Sequence, residues 1–462
     1  MSVQPAESVE LEEAPAPSAR AAELARLSPA RAALDLAWPG IIEQSVNALG
    51  TAATFAFVGQ LGATATAGVG ASSQFLFLLF PVWRSLAIGT VAVVSRRMGE
   101  GHADDAADAT RQSLILGAIA GVLFGAGFVL FADPLLRLLG ASDDVLAIGV
   151  PFLAVVGGAS GFSTVWLIAT SAMRAAGDTR TPMLLGIGFV GLAVSLAYLF
   201  INVLGLGPMG SAYAQVITWG LGLAATLVLL WRGRAGLSIA GGPWRLTRQT
   251  TTRMLDISLP SGMESATFSF GILALSFLVF RLGTEDVAAH QIVNTIETFS
   301  FFPCIGFSAA ASALVGQALG MRDMQRAQRA GWAAAGMATV WATTAGVVFF
   351  LVPAFLLGLF TSSPAVVAAG VGALAVVGLG QPAQALIFTL GGALRGAGDT
   401  RYPLMVSLFN WFVVRLPLAY VLAFPFGMGL TGIWLGVTLD YFVRAGLLAW
   451  RFRSGAWARV RM

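Results

Sequence analysis

The 462-residue sequence has no lysine, one cysteine and two histidines, and only 11% of its residues carry a charge. Soluble domains average about 25% charged residues, and here 57% of the chain is hydrophobic, so a soluble globular fold is excluded. The lone cysteine, Cys304, rules out a disulfide framework and a cysteine-based metal site. His102 and His290 lie too far apart in sequence to suggest a ligand pair, and no metal or cofactor is expected. The chain has no Walker motif, which argues against a nucleotide-driven pump. An intramembrane enzyme would need a nucleophile with its base, or a metal cluster, and no such set is visible.

All 27 basic residues are arginine, and their placement is the first positive signal. Apolar spans of about 20 residues, long enough to cross a bilayer as helices, alternate with short polar connections. Twelve are expected, at about 36–59, 67–94, 114–131, 146–171, 183–203, 209–230, 257–280, 287–319, 330–351, 366–390, 403–424 and 430–450. Cytoplasmic loops carry the positive excess. With both termini inside, the outer loops hold only Arg137 and Arg281, and Arg84, Arg415 and Arg444 fall within spans. The net charge of +4 is therefore a topology signal, and no nucleic-acid partner is expected.

The chain is also duplicated. Arg174 to Pro182 reads RAAGDTRTP and Arg395 to Pro403 reads RGAGDTRYP, identical at seven of nine positions and 221 residues apart. The same offset carries Pro39 onto Pro260, Glu43 onto Glu264, Leu61-Gly62 onto Leu282-Gly283, and Gly99 onto Gly320. Six spans per copy is an even number, so the two copies enter the membrane from the same side as parallel repeats. The expected organisation is a disordered cytoplasmic tail over 1–33, including a short amphipathic lead-in, then a first lobe over 34–230. A cytoplasmic interlobe linker over 231–256, a second lobe over 257–450 and a cytoplasmic tail over 451–462 complete it.

The duplicated motif joins spans 4 and 5 and spans 10 and 11. Gly177 and Gly398 suit a tight turn, Asp178 and Asp399 can cap the following helix, and Pro182 and Pro403 suit its first turn. A second role is a cytoplasmic gate in which Arg174, Asp178 and Arg180, with Arg395, Asp399 and Arg401, make and break contacts between lobes.

Ionisable groups within spans are costly and so are candidate functional sites. Glu43, Asn47, Thr51 and Thr54 share one face of span 1 and could line a substrate or cation path or bond to neighbouring helices. Glu43 lies about 10 Å from the inner end at 1.5 Å per residue, which suits a gate, and Glu264 is its repeat partner. Span 8 presents His290, Asn294 and Glu297 on one face, ahead of an expected kink at Pro303. Glu297, near mid-membrane, is placed to exchange protons or hold a cation. Asp440 and Arg444 are four apart and expected to pair. Arg415 needs an acid, with Glu264 and Glu297 as candidates.

The AGDTR-x-P loops, the PSGMES opening of span 7, the AAHQIVNTIETFSFFPCIGFSAAASALVGQALG run of span 8 and the WFVVRLPLAYVL run of span 11 resemble the multidrug and toxic compound extrusion (MATE) transporters, specifically their bacterial DinF-like branch. The resemblance implies two six-helix lobes around a central cleft and alternating access. It also implies export of cationic or amphipathic small molecules against H+ or Na+. Two family features are absent: Ala53 stands where many members have an aspartate, and Ser195 to Asn202 contains no acid. Coupling would then fall to Glu43 or to acids of the second lobe. The alternative is a lipid-linked saccharide flippase of related architecture, which calls for a basic central cavity. The expected protein is a monomer in the bacterial plasma membrane, in contact with lipid and needing no protein partner.

Overall fold

The computed structural model describes residues 19–77 and 80–459, and no strand occurs among the described residues. The first half comprises α1 (Ala19–Arg26), α2 (Pro29–Gly59), α3 (Ala63–Phe77), α4 (Phe80–Gly99), α5 (Ala103–Leu138), α6 (Asp143–Gly158), α7 (Ser160–Ala175), α8 (Arg180–Tyr198) and α9 (Pro208–Trp231). The second comprises α10 (Arg248–Phe280), α11 (Thr284–Gly320), α12 (Met324–Leu351), α13 (Pro353–Gly358), α14 (Pro364–Gly396), α15 (Arg401–Phe409), α16 (Leu416–Ala423) and α17 (Gly429–Arg453). Three spans are composite. The second joins α3 to α4, the fourth joins α6 to α7 across a 40° bend, and the eleventh joins α15 to α16 through a π-helical stretch, Asn410–Arg415.

Among the described residues ten helices are long and apolar enough to cross a membrane, or eleven when the bent pair counts as one span. The twelfth span is α2, 31 residues long, which carries Glu43, Gln44, Ser45 and Asn47 along its middle and so falls outside that apolar set. Its start is well specified: Pro29 occupies the first turn, where its missing N–H costs nothing, and the Ser28 hydroxyl accepts from the Arg31 amide. The result is an all-α polytopic membrane protein of twelve helices in two parallel repeats.

Lipid tails are as apolar as leucine, so close backbone approach takes over from hydrophobic drive between helices. The core shows this. Alanines of α11, α12 and α14 fill the largest buried cluster, including Ala311, Ala334, Ala338, Ala342 and Ala393. Gly346 and Gly378 each lie where a Cβ would overlap the other's carbonyl oxygen. Leu130, Phe277, Phe280 and Leu351 point outward, as lipid-facing side chains do.

The halves meet along α4 with α10 and α11 and along α2 with α11 and α12, and at the α4–α11 crossing the backbones touch. A Cβ on Gly99 would overlap the Gln317 carbonyl, and one on Gly320 would overlap the Arg96 carbonyl. Arg96 and Gln317 are themselves one repeat offset apart, so the contact is reciprocal about the pseudo-two-fold axis. Both motif loops lie at this same end of the bundle, since Gln317 Nε2 also donates to the Ala175 carbonyl at 2.8 Å.

One expectation changes. Residues 1–18 of the expected tail lie outside the described residues, but 19–33 are helical, not disordered. Leu24 of α1 is buried, and Arg326 donates to the Leu24 and Ala25 carbonyls at 2.6 Å each. Those carbonyls belong to the last turn of α1, where a cation also complements the helix dipole. The interlobe linker is pinned. Leu237 and Ile239 are buried, Arg111 donates to the Gly241 carbonyl, and Gln112 bonds Thr247. α11 runs unbroken through Pro303.

Candidate functional site

The charged groups near the motif end form two matched ion pairs. Arg174 Nη2 donates to both Glu43 oxygens at 2.6 and 2.8 Å, and Arg395 Nη1 donates to both Glu264 oxygens at 3.3 and 3.1 Å. Each pair spans 131 residues, and the offset carries one onto the other. The first arginine of each motif therefore neutralises the span acid of its own repeat. The motif aspartates are matched too: Asp178 pairs with Arg234 at 3.3 Å and Asp399 with Arg451 at 2.8 Å. Asp178 also accepts from the Thr181 amide at 3.0 Å, the expected cap. Asp399 is committed to Arg451 instead. Gly177 and Gly398 have φ of 97° and 85°, the left-handed region that the turn requires.

The third motif position breaks the symmetry. Arg180 pairs with Asp35 at 2.9 Å, but among the described residues their repeat equivalents, Arg401 and Asp256, make no ion pair. Asp35 also holds Arg20 of α1, which donates as well to the Gly177 carbonyl. α1 thus reaches the first motif, while the second is buried from Arg395 to Thr400.

The stripe on α2 divides. Asn47, Thr51 and Thr54 line a cavity of about 230 Å³ within the first half, while Glu43 lies apart on Arg174. Trp166, Phe189, Gln215, Thr218 and Trp219 complete that wall, and no charged side chain lines it. Such a surface is apolar and aromatic with a few fixed polar groups, the composition of a small-molecule site. Sequence reasoning missed these five residues because they come from α7, α8 and α9 and share no spacing with α2.

In the second half the Glu297 carboxylate accepts from Gln384 Nε2 at 2.7 Å and from the Tyr441 hydroxyl at 3.0 Å. Asn294 donates to the His290 carbonyl, and the His290 ring stacks near Trp434 at 5.3 Å. No hydrogen bond links the side chains of His290, Asn294 and Glu297 among the described residues, so these three form no connected chain. Gln384, a polar residue within the apolar α14, was the sequence signal for this cluster.

Two pairings differ from expectation. Asp440 and Arg444 do not pair. Arg415 Nε donates to Asp440 at 2.7 Å, and Arg444 Nη2 donates to Glu264 at 3.0 Å. Arg415 is therefore matched by Asp440, not by Glu264 or Glu297, and its guanidinium sits 4.0 Å over the Trp411 ring. The cause is the three-dimensional neighbourhood: each alternative replaces a four-residue pairing by a buried contact between different helices.

The profile of the MatE family matches residues 39–199 and 260–421, once in each half. A protein of Thermotoga maritima described as a probable multidrug resistance protein NorM is 28% identical over 435 residues, covering 92% of each chain. One of Rhodopseudomonas palustris with the same description is 29% identical over 438 residues, covering 90% of each. A solved multidrug resistance MATE family transporter in an outward-facing conformation matches with a TM-score of 0.89 at 23% identity, over 96% of this chain and all of that one. A transporter of the MOP superfamily from Pyrococcus furiosus, described as having a binding pocket of reverse polarity, matches with the same TM-score of 0.89 at 22% identity, over 96% of this chain and 100% of that one.

Proposed function

The chain belongs to the MatE family, and from that premise we propose that it is a multidrug efflux transporter. In this reading it is a secondary antiporter, driven by H+ or Na+, that exports small cationic or amphipathic compounds. The observation that carries it is the uncharged aromatic cavity lined by Asn47, Thr51, Thr54, Trp166 and Trp219. Such a wall can hold many amphiphiles, including cations over aromatic faces, without demanding one hydrogen-bond pattern.

Alternating access would come from two lobes rocking about the Gly99–Gly320 crossing, with the motif end facing the cytoplasm together with both termini. The backbone contact there supports a state shut at the motif end. The ion pairs of Arg174 and Arg395 with Glu43 and Glu264 stay within their own repeats, which supports rigid lobes rather than arginines exchanging across a gate. Coupling falls to Glu297, the one span carboxylate whose direct partners, Gln384 and Tyr441, carry no formal positive charge. The protein acts as a monomer in the plasma membrane.

A second reading, a lipid-linked saccharide flippase, is favoured by Arg395 and Arg444 converging on the single acid Glu264. Efflux of a fluorescent cationic dye from proteoliposomes under an imposed pH or Na+ gradient separates the two. Gradient-driven efflux that Glu297→Gln abolishes supports the antiporter. Failure of every dye under both gradients, with translocation of a lipid-linked saccharide, supports the flippase.

A further inference from the structure

A cavity of about 420 Å³ borders the second motif, between the start of α10, the Gly398–Tyr402 turn and the end of α17, with Arg253, Arg401 and Arg451 in its wall. Arg451 is satisfied by Asp399, whereas Arg253 and Arg401 have no ion-pair partner among the described residues. A second cavity of about 190 Å³ shares Arg253 and adds Arg96, Arg97 and Glu100 from α4. There the Arg96 Nη1 atom is buried and makes no hydrogen bond, although Nε of the same guanidinium lies 3.5 Å from Glu100.

Charge and position narrow what such a site accepts. The acids in the two walls are Glu100, Asp256 and Asp399 against five arginines, so positive charge is in excess even if Asp256 takes up one free guanidinium. A buried N–H of a guanidinium without an acceptor is costly, and an anion's oxygen is the partner that removes that cost. Both cavities lie where membrane-spanning helices end, α4 at Gly99, α17 at Arg453 and the start of α10 at Arg248, and basic groups beside such helix ends attract anionic lipid headgroups. The first repeat provides the contrast, since there Asp35 holds Arg180, and Arg20 of α1 reaches the motif turn.

We propose that the paired cavities around Arg253 bind the phosphodiester headgroup of an anionic phospholipid, with Arg96, Arg253 and Arg401 as its ligands. A headgroup held there touches α4 of the first half and α10 and α15 of the second. It therefore ties the halves together beside the Gly99–Gly320 crossing and favours the state closed at the motif end. The assignment stands whichever compound is exported.

The test measures binding of short-chain phosphatidylglycerol, short-chain phosphatidylcholine and inorganic phosphate to the full chain in neutral detergent, for wild type and the Arg253→Gln/Arg401→Gln variant. The expected result is binding of phosphatidylglycerol well above phosphatidylcholine, weakened roughly 30-fold in the double variant on the basis of a few-fold per basic group. Arg137→Gln, at the opposite end, should bind as wild type does. Equal affinity for the two lipids in wild type overturns the proposal, whether or not the variant folds. So does an unchanged affinity in a folded double variant. Inorganic phosphate binding as tightly as phosphatidylglycerol would make this a free-anion site and overturn the lipid assignment.

Discussion

Gly99 and Gly320 stand one repeat apart in sequence and lie each against the backbone of the other's helix. Their neighbours Ser95 and Gly316, also one repeat apart, touch in the same crossing. The two copies of the duplicated unit thus seal one end of the bundle by the same few residues, used twice about one axis.

Gly320→Val should open that seal. The added carbons have only the backbone of Arg96, Gly99 and Glu100 to displace, and overpacking of this kind costs about 1–3 kcal/mol. In a Cys304→Ala background, a cysteine placed at Ser95 should react several times faster with a polar maleimide when Gly320→Val is present. Equal labelling rates would show that another contact closes this end.

Glu264→Gln should destabilise the protein more than Glu43→Gln. Glu264 holds both Arg395 and Arg444, while Glu43 holds Arg174 alone, and the two acids are similarly buried, their side chains 12% and 15% exposed. Removing one partner of a buried pair costs about 3–5 kcal/mol, and at Glu264 two arginines lose their partner rather than one. Thermal unfolding in detergent reads the order directly, and a larger drop for Glu43→Gln would contradict it.

Asn47→Leu should leave the fold intact and weaken export. It removes a polar group from the wall of the first-half cavity and fills part of its volume of about 230 Å³. A lost hydrogen bond of about 1 kcal/mol, together with the lost space, predicts an increase in apparent KM of up to ~10-fold. Dye efflux at several concentrations checks this; a KM unchanged across a panel of amphiphiles would place binding elsewhere.

Arg326→Gln should release α1. It deletes two charge-assisted hydrogen bonds to the Leu24 and Ala25 carbonyls, each contributing about 1.5–3 kcal/mol. Hydrogen exchange should rise over residues 19–26 and remain low in α11 and α14. Exchange unchanged in α1 would mean that burial of Leu24 holds it without the arginine.

The sequence alone determined what depends on composition and period: the membrane-spanning helices, though α5 and α10 begin well before the expected 114 and 257, and parallel repeats from an even span count at one offset. It also placed Glu43 level with Glu264 and Arg174 level with Arg395, because the duplication keeps register without insertion. Which acid meets which arginine was decided by tertiary structure. Asp440 and Arg444 satisfy the four-residue helix rule, yet each binds a different helix, since rotation of α17 puts Arg415 and Glu264 nearer. Glu297 finds Gln384 87 residues away and Tyr441 144 away, and no local pattern encodes such distances. The repeat predicts two equal motif ends; the packing of α1 on the first, through Arg20 and Asp35, makes them differ. Register is written in a single chain by its covalent spacing, whereas the partner of a buried charge is chosen by whichever helix face the packing brings against it.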